Sequence, residues 1–150
     1  MDTYETLNEV LVKLFNDIMT IEEKAIITDE FRDISNNDMH IIEAIGPDEA
    51  KSMSTVAKAL SVTVGTLTIA INNLVKKGYV LRQRSERDRR VVLISLSEKG
   101  EEAYQHHWNF HKEMTEATVA GMEPQEQEVL VKALTNLKEF FRNYGKNKFE

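Results

Sequence analysis

Between residues 54 and 100 the apolar pattern changes period twice, and each change falls on a residue suited to end one element and begin another. Ser54 can cap a short helical run, TVAKAL, and a brief turn follows around Ser61 and Val62. Thr63 then precedes a longer helical run, from about residue 64 to 77, in which Leu67, Ile71 and Leu74 recur at the spacing of one helix face. Gly78 stands where a left-handed C-terminal cap is needed, and Lys76 and Lys77 suit the negative end of the helix dipole. Residues 79–84 and 91–96 alternate as strands do, with a polar hairpin loop, SERDR and then Arg90, between them. Short helix, tight turn, longer helix and hairpin is a helix-turn-helix followed by a two-stranded β-wing.

The flanks are helical. Residues 3–28 repeat Leu7, Leu11, Leu14, Phe15, Ile18 and Ile21 at helical spacing, and two prolines in the chain leave long helices unbroken. Ser35 with Asp38 forms a capping box for a second helix bearing Met39, Ile41, Ile42 and Ile45, stopped by Gly46-Pro47. Ser97 caps a fifth helix running to about Ala120. A sixth, from about residue 124 to 144, starts at Pro124 and carries Val129, Leu130, Ala133, Leu134, Leu137, Phe140 and Phe141. The tail GKNKFE is expected to fray. The fold class is mainly α: six helices with a two-stranded wing.

Charge separates the wing from the rest. Residues 76–90 hold seven Lys or Arg and two acids, a net +5, on a chain of −6. The remainder therefore sums to −11, and a basic segment on an acidic protein points to one local task with a polyanion. There is no cysteine, hence no disulfide, thiolate metal site or cysteine nucleophile, which fits a reducing, cytoplasmic setting. No apolar run approaches the roughly 18–20 residues that span a bilayer, so no membrane partner is expected. The N-terminal MDTYETLNEV is too acidic for a signal peptide. A Gly-rich phosphate loop, G-x-S-x-G and HExxH are all missing, so enzyme activity is not expected and no cofactor is called for.

The N-terminus of a recognition helix meets base edges in the major groove. The exposed early positions here are Thr63, Val64, Gly65, Thr66, Thr68, Ile69 and Asn72, with Asn73 and Ser54 beside them. Methyl groups of Val, Ile and Thr suit the thymine C5-methyl, so AT-rich half-sites are expected. The same small residues would also suit a helix packed on a protein partner. In the hairpin loop, Asp88 and Arg90 are two apart and can pair, holding the guanidinium for a narrow minor groove. Arg82, Arg84, Arg87 and Arg89 are expected to neutralise phosphates.

The run from Leu60 to Gly100 resembles the winged helix-turn-helix core of the MarR family, through LVKKGY at 74–79, the D-x-R of Asp88 and Arg90, and LSEKG at 96–100. The six-helix order extends the resemblance over nearly the whole chain. It implies one domain, 1–150, in which 34–97 form the DNA-binding lobe and 1–33 and 98–150 the dimerisation helices. It implies a homodimer on a palindromic double-stranded operator, usually as a repressor, with a ligand cleft between the two regions. MHIIEAIG, NNLVKKGY, RSERDRRVV and HHWNFHKEM are similar to the fatty-acid-biosynthesis repressors of this family. That branch implies long-chain acyl-acyl-carrier protein as corepressor, with no resident cofactor.

For a lipid ligand the cleft would be lined by Phe15, Ile18, Met19, Ile41, Ile42, Ile45, His107, Trp108 and His111. Each of these is equally suited to a plain core. Met19 and Met39 would let the lining adapt to a flexible chain. The alternatives are a regulator of another small lipophilic ligand, and a zinc sensor using His40, His107 and His111 with Glu22 or Glu43. His106, adjacent to that pair, completes the four histidines.

Overall fold

The computed structural model describes residues 2–26, 28 and 30–149. The element order is α1 (Thr3–Ile26), α2 (Asn36–Ile45), β1 (Lys51–Ser52), α3 (Met53–Ala59), α4 (Val64–Lys76), β2 (Val80–Arg84), β3 (Val92–Leu96), α5 (Glu98–Val119) and α6 (Pro124–Phe149). The chain forms two compact units, Met1–Phe110 and His111–Glu150.

The helix starts obey their capping chemistry. Ser35 and Asp38 make a reciprocal box, with Asp38 N–H donating to Ser35 Oγ (3.1 Å) and Ser35 N–H to Asp38 Oδ2 (3.0 Å). Thr63 Oγ1 accepts from the backbone of Thr66 at 3.1 Å, at the start of α4. Two expectations are corrected at α3. Its cap is Ser52, which accepts from Thr55 N–H at 3.2 Å, whereas Ser54 lies within the helix. Ser52 can cap because it also ends β1, a third strand absent from the two-stranded wing expected. The sheet order is β1-β3-β2, all antiparallel, with Lys51 opposite Ile94 and Val80 opposite Leu96.

The core of the first unit explains the turn geometry. Leu67, Ile71 and Leu74 of α4 are at most 1% exposed and join Ile42, Ile45, Val56 and Ile94 in one cluster. Helices α3 and α4 turn by 106° through a break in which Ser61 adopts a left-handed φ of 55°. That conformation costs a non-glycine residue about 1–2 kcal/mol. Gly78, at φ 87°, ends α4 as expected. The start of α5 is pinned to the wing base. Ser97 N–H donates to Tyr79 O (2.9 Å), Gly100 N–H donates to Ser97 Oγ (3.1 Å), and a Cβ at Gly100 would lie 2.1 Å from Tyr79 O.

Tyr79 is fully buried, and its hydroxyl donates to Asp33 Oδ1 at 2.6 Å. Burial first and then this bond push the phenol pKa up, while the same hydrogen bond leads in holding the Asp33 carboxyl below its usual range. Lys99 Nζ sits 4.4 Å from the centre of the Tyr79 ring.

In the second unit, α6 runs through Phe149, so the tail expected to fray is helical. None of its 26 residues is buried. Val129, Leu134, Phe140, Phe141 and Tyr144 all stand exposed, with the Phe140 and Phe141 rings edge to face at 5.1 Å. In α1, Ile26 is the one buried residue described. No single helix among the described residues is long and apolar enough to cross a membrane.

Candidate nucleic-acid interface

With Leu67, Ile71 and Leu74 in the core and Ala70 and Val75 packed against it, α4 turns the residues of its opposite face outward. Thr63, Val64, Gly65, Thr66, Ile69, Asn72 and Asn73 are exposed and Thr68 is half-buried. The threonine hydroxyls bond locally: Thr63 Oγ1 donates to Thr66 Oγ1 (2.9 Å) and Thr68 Oγ1 to Val64 O (2.7 Å). The methyl groups are left to meet a partner. Val64 and Ile69, 45% and 69% exposed, add to a largely apolar reading face. Ser54 is exposed at the start of α3, its hydroxyl 3.2 Å from Ser52 Oγ.

A groove of about 340 Å³ runs between α4 and the wing. Val64 and Thr68 line one side, Arg82, Arg90, Val91 and Val92 another, and Ser52, Met53 and Ser54 its end. Sequence reasoning placed Val64, Thr68, Ser54, Arg82 and Arg90 here. It missed Ser52, Met53, Val91 and Val92, which only the unforeseen β1 pairing brings alongside.

Two of the wing arginines, Arg84 and Arg90, are held by the wing itself. Arg90 Nε and Nη2 donate to Asp88 Oδ1 and Oδ2 at 3.1 and 3.2 Å, and its backbone N–H donates to Oδ1 at 3.0 Å. The side-chain bond first and the backbone bond second hold the Asp88 carboxyl below its ordinary range. Such a fork fixes the guanidinium plane. Arg84 Nη1 donates to the Arg89 carbonyl (2.8 Å), bracing the base of the loop, and Ser85 Oγ accepts from the backbone of Arg87 at 3.2 Å. Arg82 donates to Asn72 Oδ1 across the groove. Arg82 and Arg84 therefore already have partners within the protein, beyond the phosphate role expected of them.

The residues assigned to a ligand cleft do not share one environment. Ile41, Ile42 and Ile45 are core residues, 4%, 0% and 0% exposed. Phe15, Met19 and Trp108 are about half exposed or more, and Ile18 is half-buried. His107 is 2% exposed, and its Nε2 lies 2.8 Å from Glu43 Oε1 and 3.5 Å from Glu22 Oε1. His40 Nε2 lies 3.8 Å from the same Glu22 oxygen. His106 is set apart, its Nε2 3.0 Å from the Ala25 carbonyl and its ring against Phe31. His111, half-buried, belongs to the second unit.

A helix-turn-helix with an apolar reading face, beside a hairpin whose arginine is braced by a carboxylate, defines a winged-helix DNA-binding transcriptional regulator. The profile described as Transcriptional regulator SarA/Rot matches residues 22–107, and the chain belongs to that family. It is 29% identical over 115 residues to the HTH-type transcriptional regulator YpoP of Bacillus subtilis, a match spanning 77% of this chain and 74% of YpoP. The crystal structure of Streptococcus pneumoniae FabT in complex with DNA is 43% identical, with TM-score 0.86, over 94% of this chain and 99% of FabT. The MarR family regulator SP03579 shares the fold, with TM-score 0.77 at 15% identity over 95% and 92% of the two chains. The protein is thus a winged-helix transcriptional regulator of the SarA/Rot family, with the fold of MarR-family regulators, and not an enzyme.

Proposed function

We propose that this protein is a cytoplasmic homodimeric repressor of fatty acid biosynthesis genes. It binds an AT-rich palindromic operator, and long-chain acyl-acyl-carrier protein acts as corepressor. The observation carrying this reading is the likeness to FabT, which runs the length of the chain and agrees with the fatty-acid-repressor motifs in the sequence. The apolar faces left exposed on α1 and α6 support a second copy as partner. A two-fold dimer of such heads reads half-sites about 34 Å apart. The methyl-rich face of α4 supports thymine-rich half-sites, with Arg90 in the minor groove and Arg87 and Arg89 beside phosphate. The test is a gel shift on the promoter of a fatty-acid-synthesis operon. Binding that tightens with long-chain acyl-acyl-carrier protein supports the reading; an affinity unmoved at saturation rejects the corepressor.

One observation favours a second reading. Glu22, Glu43, His40 and His107 bring two carboxylates and two imidazoles together in the first unit, donors that zinc accepts. A zinc titration of metal-free protein, followed by calorimetry, separates the two: no tight binding ends the metal-sensor reading.

A further inference from the structure

Helix α4 and strand β2 share one side-chain contact whose chemistry runs in a single direction. Arg82 donates through Nη1 to Asn72 Oδ1. A guanidinium has donors and no acceptor, so the partner atom on Asn72 must be the amide oxygen. The carboxamide is thereby oriented, its oxygen toward the wing and its NH2 directed away from Arg82. Asn72 stands one helical turn beyond Thr68 and two beyond Val64, the two α4 residues that line the groove with Arg82. The strand that carries Arg82 is fixed in register, because Arg82 is paired with the fully buried Ile94 of β3.

We propose that Arg82 is a positioning residue for base reading: it holds the Asn72 carboxamide in one orientation, oxygen toward the wing, so that its NH2 is presented to base edges carrying acceptors. An unrestrained asparagine reads adenine with both ends of its amide, donating to N7 and accepting from N6. An amide oxygen has two lone pairs, so with one taken by Arg82, Asn72 keeps its NH2 and a single acceptor site for the base. Its NH2 is left for guanine O6 or N7, adenine N7 or thymine O4. The base opposite Asn72 is therefore chosen by hydrogen bonding, in a head whose other contacts are mostly methyl groups. Sequence reasoning assigned Arg82 to phosphate; the planar fork of arginine suits the bridging task as well. The inference rests on α4 being the reading helix.

The experiment is selection from a randomised duplex library by the full-length protein and its variants R82M, N72A, R82M/N72A and T66A/T68A, with salt titrations on the winning duplex. R82Q serves as a second variant if R82M melts early. R82M and N72A are expected to relax preference at the same base positions by on the order of tenfold, and the double variant by no more than N72A alone. Unchanged preferences in R82M, with a salt slope shallower by about one phosphate, would make Arg82 a phosphate ligand and overturn the proposal. Unchanged preferences in N72A would also overturn it. If T66A/T68A shifts preferences while N72A does not, α4 remains the reading helix and the Arg82–Asn72 inference alone fails. If none of the variants shifts them, both fail.

Discussion

Helices α4 and α6 have comparable apolar patterns and opposite fates. Helix α4 places Leu67, Ile71 and Leu74 in a closed core and leaves a short apolar patch at its N-terminal end. Helix α6 is twice as long, buries nothing, and exposes a stripe from Val129 to Tyr144 at helical spacing. A stripe of that length facing water is unfavourable by roughly 25 cal/mol for every Å² of apolar surface. One helix packs within its own lobe, and the other leaves its apolar stripe exposed in the described chain.

The sharpest break of this contrast is a matched pair. Ile71→Ala, at a wholly enclosed site, should cost about 2–5 kcal/mol in denaturant unfolding at every protein concentration. Leu134→Ala, 54% exposed in one chain, should instead make the melting temperature fall more steeply on dilution. If the wild-type melting temperature is independent of concentration, α6 has no partner and the contrast collapses. Gly100→Ala comes next, at about 3 kcal/mol, because its Cβ would meet backbone and not a movable side chain. Should Gly100→Ala melt like wild type, the junction of α5 with the wing is looser than described. Ser52→Ala should cost about 1 kcal/mol through the lost cap, with Ser54→Ala near neutral; the reverse ranking would return the cap to Ser54. Smallest, and opposite in sign, Ser61→Gly should raise stability by ~0.5 kcal/mol by relieving the left-handed backbone. A lower melting temperature for that variant would show that Ser61 has a role beyond its φ.

Much of this was legible in the chain. The i, i+4, i+7 spacing of Leu67, Ile71 and Leu74 sorted the buried face of α4 from its exposed face correctly. Asp88 and Arg90 pair as their two-residue spacing allows, and Gly78 turns where the helix had to stop. These signals are local, carried by near neighbours. What was not legible is long-range. Strand β1 is two residues long and exists through pairing with β3, so no periodicity could announce it. Its presence moved the α3 cap from Ser54 to Ser52. The Arg82–Asn72 bond joins a strand to a helix, and composition marks both only as polar. Ile41, Ile42 and Ile45 suited a core and a cleft equally in sequence; only the surrounding elements decide that they are core. The extension of α6 to Phe149 overrode a reading of Gly145 and the lysines as a frayed end.

Tyr79 links four parts of the first unit at once. Its N–H closes the end of α4 on Leu74, its carbonyl receives Ser97 and presses on Gly100, its hydroxyl holds Asp33, and its ring lies under Lys99. A joint so crowded has no free travel. The first turn of α5 acts as a rigid coupling to the reading helix, like a shaft keyed to its gear. Within the first unit, any bending of α5 must then occur beyond the turn where Gly100 meets Tyr79.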